Sequence, residues 1–519
     1  MTKVDHRFNG LDRRTLIKAA VAGAGALALP GAAFAQETPK NGGTLRLAIP
    51  YNPAALDPMT GRNLPDFDVL YAVFDALIDF VPQTLELKPG LAKSWTFTDP
   101  KTLVLELVDG VTFHDGTPFN ADAVKFNLDR YKTDQRSNVK ADLASVETIE
   151  VTGKSQVTLK MNRPNAGLPN ILTNRVGLII SPKSIQDNGG NVDRKPVGTG
   201  PFTFVSWQDN DSIMLKRNDK YWKAGLPYLD AVDIKIINEL NTAVRAVVAG
   251  ERDLAINLQA PQKAIADKSS NVVAVAAPSL VLYGGFINYG KPPLDDVRVR
   301  QALNYAINRD EINKIAAVGL GQVSSAILPK EHWACDPATQ NFYPYDPDKA
   351  KKLLAEAGHP DGLEIETIGW ADQLAMQRQE IIISQLAKVG IKIKLTALAP
   401  QQAVQAFMIE KKGSLFISPS SAFPDPSQLY EALFGKTALR NASGIELPGF
   451  RELLDATMAA QDQAARKAAF VKLQRFVAEQ AMQLVQYISP AVSVANPNVQ
   501  NFHDSLLAVP KLTEVWMKA

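Results

Sequence analysis

Hydrophobic and polar positions alternate at several places along the chain with the two-residue period of a strand that buries one face. Thr44-Leu45-Arg46-Leu47-Ala48-Ile49 is the first such stretch. Lys101 to Leu107 and Val157-Thr158-Leu159-Lys160-Met161 are two more, the last stopped near Pro164. Asp109-Gly110 and Asp115-Gly116 mark turns in the same region. Elsewhere the period lengthens to that of a helix. Val124, Leu128 and Tyr131 share one face behind Asn120, whose side chain suits the first free N–H groups. Asp295 or Asp296 starts a helix with Val299, Ala302, Leu303, Ala306 and Ile307 on one face. Asp346-Pro347 starts another through Ala350, Leu353, Leu354 and Ala357, and Gly358 follows as a left-handed cap. Gln377 to Lys388 reads as helix, Ile391 to Leu395 as strand, and Phe450 to about Tyr487 as mostly helix. This succession predicts a mixed α/β chain without a short-period repeat.

Length and charge narrow the picture. At roughly 150 residues per domain, the 519 residues predict several lobes. Hydrophobic residues make up 46% and charged residues 21%, which suits a large buried core. The net charge of +2 owes much to the first 35 residues, with five basic and two acidic groups; the remainder holds 51 and 52. A near-neutral protein with no basic run does not read as a nucleic-acid binder. Cys335 is the one cysteine, so no intramolecular disulfide forms.

The N-terminus reads as an address. Asp12-Arg13-Arg14-Thr15-Leu16-Ile17-Lys18 resembles the bacterial twin-arginine export signal, with Leu16 where Phe is commoner. The apolar stretch Ala19 to Leu29 follows, and Ala33-Phe34-Ala35 supplies a small-x-small cleavage pattern before Gln36. The stretch is shorter than the ~20 residues of a membrane span. No cysteine sits at the cleavage position, so the mature chain is expected free in the periplasm, cleaved after Ala35.

Candidate chemistry is sparse. There is no G-x-S-x-G elbow and no H-E-x-x-H zinc motif. His114, His332, His359 and His503 are the histidines beyond the signal, and none are spaced as a metal pair. His332 and Cys335 form a lone H-x-x-C, two ligands where a structural zinc needs four. An exported hydrolase is therefore the minor alternative, with no catalytic residue, cofactor or metal assigned. Gly198-Thr199-Gly200-Pro201 lacks the third glycine of a dinucleotide fingerprint and reads as a tight crossing between lobes. His114 reads as structural, and Arg298 and Arg300 as a solvated charged face beside Asp295 and Asp296.

Several separated segments together carry a resemblance. They are Gly42-Gly43-Thr44-Leu45-Arg46, Leu56-Asp57-Pro58, Leu91-Ala92-Lys93-Ser94-Trp95 before a strand, and Val111-Thr112-Phe113-His114-Asp115-Gly116-Thr117-Pro118-Phe119. Val197-Gly198-Thr199-Gly200-Pro201-Phe202, Tyr221-Trp222, Asp296 to Ala306 and Leu353 to Gly358 follow in order. In this order the chain resembles family 5 of the bacterial extracellular solute-binding proteins, the peptide, opine and nickel group, across the whole mature length.

The resemblance implies an α/β two-lobe periplasmic-binding-protein (Venus-flytrap) fold with an extra domain inserted in the first lobe. Mapped onto this chain, residues 1–35 are the signal, 36–60, 192–282 and 490–519 are lobe I, 61–191 the inserted domain, and 283–489 lobe II. It implies capture of a peptide or peptide-like, opine-like solute by hinge closure and delivery to the membrane permease of an ABC importer. A sugar, aromatic acid or metal chelate in the same role is the alternative. The ligand-contact candidates it implies are Tyr51 and Asn52 after the first strand, Trp370 after the strand Glu364 to Ile368, and Ser420, Ser421, Ala422 and Phe423. Asp425-Pro426 reads as structural. Peptide-binding members commonly place an aspartate three residues before that pair, against the peptide α-ammonium. This chain has Ala422 there, and a buried ammonium without a counter-charge is costly. Ordinary peptides held by a free N-terminus are therefore not expected.

Overall fold

The computed structural model describes residues 38–61, 64–420 and 422–518. The export-signal residues Arg13, Arg14, Ala33 and Ala35, and the candidate Ser421, lie outside the described residues. The chain opens with strand β1 (Thr44–Ile49). The short β2 (Ile78–Phe80) and β3 (Leu87–Pro89) pair as a hairpin. β4 (Ala92–Asp99), β5 (Thr102–Leu107), β6 (Val146–Gly153) and β7 (Gln156–Met161) then form an antiparallel sheet in the order β4-β5-β7-β6. β8 (Phe202–Gln208), β9 (Ser212–Arg217), β10 (Ala231–Ile236), β11 (Leu254–Leu258) and β12 (Val273–Ala277) return to the sheet of β1.

A second large sheet holds β13 (Leu282–Ile287), β14 (Gln322–Val323), β15 (Leu363–Trp370), β16 (Ile391–Leu398), β17 (Leu415–Ser420) and β18 (Gln483–Ile488). β19 (Ala491–Ala495) goes back to the first. The orders are β12-β19-β11-β1-β10-β9-β8 and β14-β18-β13-β17-β15-β16. Each large sheet is the centre of one lobe. The chain crosses between them twice, before β13 and after β18, and the crossings are tied together. Ser489 N–H donates to the Val281 carbonyl at 2.8 Å, and the Ser279 hydroxyl to the Ser489 carbonyl at 2.6 Å.

Burial follows position in the sheets. β1 lies between parallel partners β10 and β11, so Leu45, Leu47, Ala48 and Ile49 are all buried. β5 keeps its alternation: Leu103, Leu105 and Leu107 face the core that Val124, Leu128 and Tyr131 enter from the helix Ala121–Thr133. Asn120 caps that helix by accepting from Ala123 N–H at 2.9 Å. Asp296 caps the helix Val297–Ala306 and Asp346 the helix Pro347–Glu356. Gly358 follows with φ +90°, the left-handed cap.

Several expectations need correction. Gln483 to Ile488 is not helical: after the helices Phe450–Ala459 and Gln463–Glu479 it forms β18, buried at every position. Flanked by β13 and β14, it has no exposed face, so no alternation marks it. The helix expected from Gln377 starts earlier, spanning Gln373–Ala387 with Asp372 as cap. Leu91 to Trp95 does not precede a strand but largely forms β4. Arg300 is not on a solvated face. It is 2% exposed and donates to the carbonyls of Gln480, Leu294 and Asp295 at 2.9–3.0 Å, while Arg298 stays exposed beside Asp296.

The segment 198–201 is not one of the crossings between the lobes, which lie before β13 and after β18; it leads directly into β8 and lies against the end of the helix Leu64–Val73. A Cβ on Gly200 would fall 2.5 Å from the Val73 carbonyl carbon. The His114 ring meets the Gly200 carbonyl at 3.0 Å, which fits a structural role. Among the described residues, no helix is long and apolar enough to cross a membrane.

Candidate functional site

The strand directions set the site. β1, β10 and β11 run parallel and end toward the crossings. In the second sheet β15 and β17 are parallel, and β17 ends where Ser420 pairs with Leu282, the first residue of β13. The carboxyl ends of both sheets thus meet at the crossings, the edge where open α/β sheets take ligands.

Tyr51, just after β1, retains 43% of its surface. Protein nonetheless surrounds it closely, and desolvation, with the charges of Tyr283 and Asp372, pushes its hydroxyl up to about 12. Tyr283, Asp372 and Arg378, whose charges act on Tyr51, belong to the other lobe, so Tyr51 faces the lobe junction. Arg378 stands 3.9 Å over the Tyr283 ring, which stacks on Tyr487 at 5.2 Å. Arg378 is 4% exposed, its Nε has no partner, and it makes no ion pair among the described residues. Trp370 closes β15, and its buried indole N–H also lacks a partner.

A second group of charges faces the same lobe junction. Ser420, 2% exposed at the end of β17, accepts from Arg440 Nη1 at 3.1 Å. The Arg440 guanidinium stands 4.9 Å from the Phe423 ring. Burial, and then the like charge of Arg175, pull Arg440 down to about 10 against the opposing pull of Asp142. Asp142 precedes β6, and burial pushes its carboxyl up to about 6, opposed by Gln428, Arg175 and Arg440. Gln428 Nε2 donates to Asp142 Oδ1 at 2.6 Å. Neither Asp142 nor Arg440 makes an ion pair among the described residues. Arg175 stands 3.5 Å from Asp66 and 4.6 Å from the Phe67 ring.

The inserted domain bonds directly to the second lobe beside this group. Ala166 N–H donates to the Met458 carbonyl at 2.9 Å, and Arg163 pairs with Asp455 at 3.5 Å. The lobes also touch through 422–423: Ala422 packs on the hydrophobic cluster of the first lobe, Phe423 on that of the second.

Of the candidates from sequence, the structure brings Tyr51, Trp370, Ser420, Ala422 and Phe423 to the junction. Asn52 follows Tyr51, but its amide is already engaged. The Asn52 amide is spent inside the first lobe, accepting from Trp207 Nε1 and Asn210 N–H and donating to Asp209 and Pro53. Asp425 is structural: fully buried, it caps the helix Pro426–Phe434 and takes both oxygens to Arg466 Nη2 at 3.0 Å. His332 and Cys335 are separately engaged, His332 Nδ1 accepting from Ala334 N–H and the Cys335 sulfur from Gln340 Nε2. No group of three or more potential metal ligands occurs among the described residues. Sequence reading missed Asp142, Arg175, Arg378, Gln428 and Arg440, which lie in separate segments without a shared motif.

Residues 86–441 match the family model of bacterial extracellular solute-binding proteins, family 5 Middle. The chain belongs to family 5 of the bacterial extracellular solute-binding proteins. The glutathione-binding protein GsiB of Shigella flexneri serotype 5b is 32% identical over 376 residues, 71% of this chain and 71% of that protein. GsiB of Escherichia coli (strain K12) shows the same figures, 32% over 376 residues and 71% of each chain. Among solved structures, the periplasmic binding protein DppA from Helicobacter pylori in complex with peptide STSA superposes with TM-score 0.85. It is 24% identical and covers 92% of this chain and 99% of its own. The protein AgaA in complex with agropinic acid, from A.tumefacien R10, gives TM-score 0.84 at 24% identity, covering 92% and 99%. These relatives are solute-binding proteins rather than enzymes, and this chain shares their two-lobe fold. Its role is that of a family 5 substrate-binding protein of an ABC importer.

Proposed function

We propose that the chain captures an acidic peptide-like or opine-like solute between its lobes and hands it to the permease. The observation that carries this is the pair of guanidiniums at the lobe junction, Arg378 buried and Arg440 half-buried, that make no ion pair among the described residues. Burying a cation is costly unless a counter-charge meets it. A ligand carboxylate is such a counter-charge, held bidentately by a planar guanidinium. Tyr51, Trp370 and Phe423 add apolar walls, and the Trp370 indole a donor. Relatives named for glutathione, a peptide and agropinic acid fit this class.

The two-lobe architecture supports capture by closure. The two tied crossings are the hinge, with boundaries near 36–60, 192–282 and 490–519 for lobe I, 61–191 for the insertion and 283–489 for lobe II. Ligand favours the shut form by binding it more tightly than the open one. The Arg13-Arg14 signal exports the chain folded to the periplasm, with cleavage after Ala35.

The test is a thermal melt of the chain from Gln36 against peptides, amino-acid conjugates, sugars, aromatic acids and metal chelates. A ligand at about 100 times its Kd stabilises by about 2.7 kcal/mol, a shift of a few degrees for a protein of this size. A shift with acidic peptides or conjugates, reduced in Arg378→Gln and Arg440→Gln, is the expected result. A shift confined to neutral sugars would refute the acidic-solute reading.

A further inference from the structure

We infer that the junction between the inserted domain and the second lobe is a subsite for a free α-amino-acid head group. Asp142 and Gln428 take its ammonium, and Arg440 takes its carboxylate. This rests on the reading of the cleft as the solute site.

Asp142 and Arg440 carry opposite charges in a desolvated setting and act on one another electrostatically. Attraction there is strong, because little water screens it. Yet they form no ion pair: Asp142 takes the Gln428 amide and Arg440 the Ser420 hydroxyl. Two opposite charges, each half-buried and without an ion pair, lose hydration without the return of contact. A zwitterionic group seated between them restores that return at both ends.

Gln428 gives the orientation. It is 7% exposed, its Nε2 is committed to Asp142, and its Oε1 is buried without a partner. The unmet need beside Asp142 is therefore for an N–H donor. An ammonium has three donors and no acceptor, so it serves Asp142 and Gln428 Oε1 together. On the other side, Arg440 has a planar fork with one bond made, to Ser420, and suits a carboxylate. Arg175 adds positive potential there, since its charge acts on both Asp142 and Arg440.

In an ordinary peptide the ammonium and the carboxylate stand at opposite ends. They share one carbon in an amino acid joined to the rest of the solute through its side chain, as in a γ-glutamyl conjugate. That is the ligand class the subsite fits, and it requires no acid at position 422.

Three matched compounds test it by calorimetric titration: γ-glutamylglycine, glutarylglycine (the same skeleton without the ammonium) and 4-aminobutyrylglycine (without the α-carboxylate). The wild type is expected to bind γ-glutamylglycine at least tenfold more tightly than either analogue. Asp142→Asn should erase the preference over glutarylglycine and keep that over 4-aminobutyrylglycine; Arg440→Gln should do the reverse. Circular dichroism of each variant confirms folding. Equal affinity for all three compounds, or preferences that survive both substitutions, would overturn the head-group assignment. Solute capture would still stand if other acidic peptides or conjugates raise the melting temperature. No shift with any solute class would overturn solute capture and the subsite with it.

Discussion

Asp142→Asn should make the protein more stable at neutral pH, although it removes a charged residue between two arginines. Burial raises the Asp142 carboxyl from 3.8 to about 6 despite Arg175 and Arg440. A folded-state value above the unfolded one means that the fold prefers the protonated form. The preference is complete below about 3.8 and is lost as pH rises through about 6. At about 1.4 kcal/mol per unit, the gap from 3.8 to about 6 amounts to about 3 kcal/mol. Asparagine has the shape of the protonated acid and no charge to desolvate. Urea denaturation of both proteins should show the variant more stable by up to about 3 kcal/mol at pH 7.5 and nearly equal near pH 3.5. The same substitution should weaken binding of a solute with a free amino-acid head, so stability and affinity move in opposite directions. A variant less stable than wild type at pH 7.5, or a difference that does not change with pH, would refute the account of this carboxyl.

Other substitutions probe the frame around the cleft. Asp425→Ala leaves Arg466 buried without its partner and removes a helix cap; a loss of about 3–5 kcal/mol in chemical denaturation is expected. Gly200→Ala places a methyl group against the Val73 carbonyl, and backbone on both sides leaves little room to give, so a loss of about 1–3 kcal/mol or more is expected. Cys335 is 3% exposed and burial pushes its thiol up, so it should react with a thiol reagent in urea and resist it in the native state. Replacing Arg13 and Arg14 by lysine should leave precursor in the cytoplasm, read by fractionation and immunoblotting; undiminished export would contradict the twin-arginine assignment.

What could be read from sequence depended on how local its cause is. The caps at Asn120, Asp296 and Asp346 were legible because a cap involves a side chain and an N–H two or three residues on. β5 and β7 were legible because one face of their sheet is covered and the other is not. β18 was not, because it is buried on both faces and its sequence carries no period. Arg300 was misread because its partners are backbone carbonyls, among them Gln480, which no sequence pattern announces. The site divides in the same way. Tyr51, Trp370 and Ser420 stand at or just past strand ends, so an expected strand order places them near the cleft. Asp142, Arg175, Gln428 and Arg440 come from the inserted domain and from two places in the second lobe. Only the folded chain brings them together.

The central claim is that solute is held between the two lobes by these residues. The most direct measurement is a crystal structure of the mature chain with the tightest solute from the thermal screen. The expected result is density between the lobes, with a carboxylate on Arg440 and the lobes closed on it across Tyr51 and Trp370. Solute bound on an outer surface, away from Arg440 and Asp142, would contradict the account.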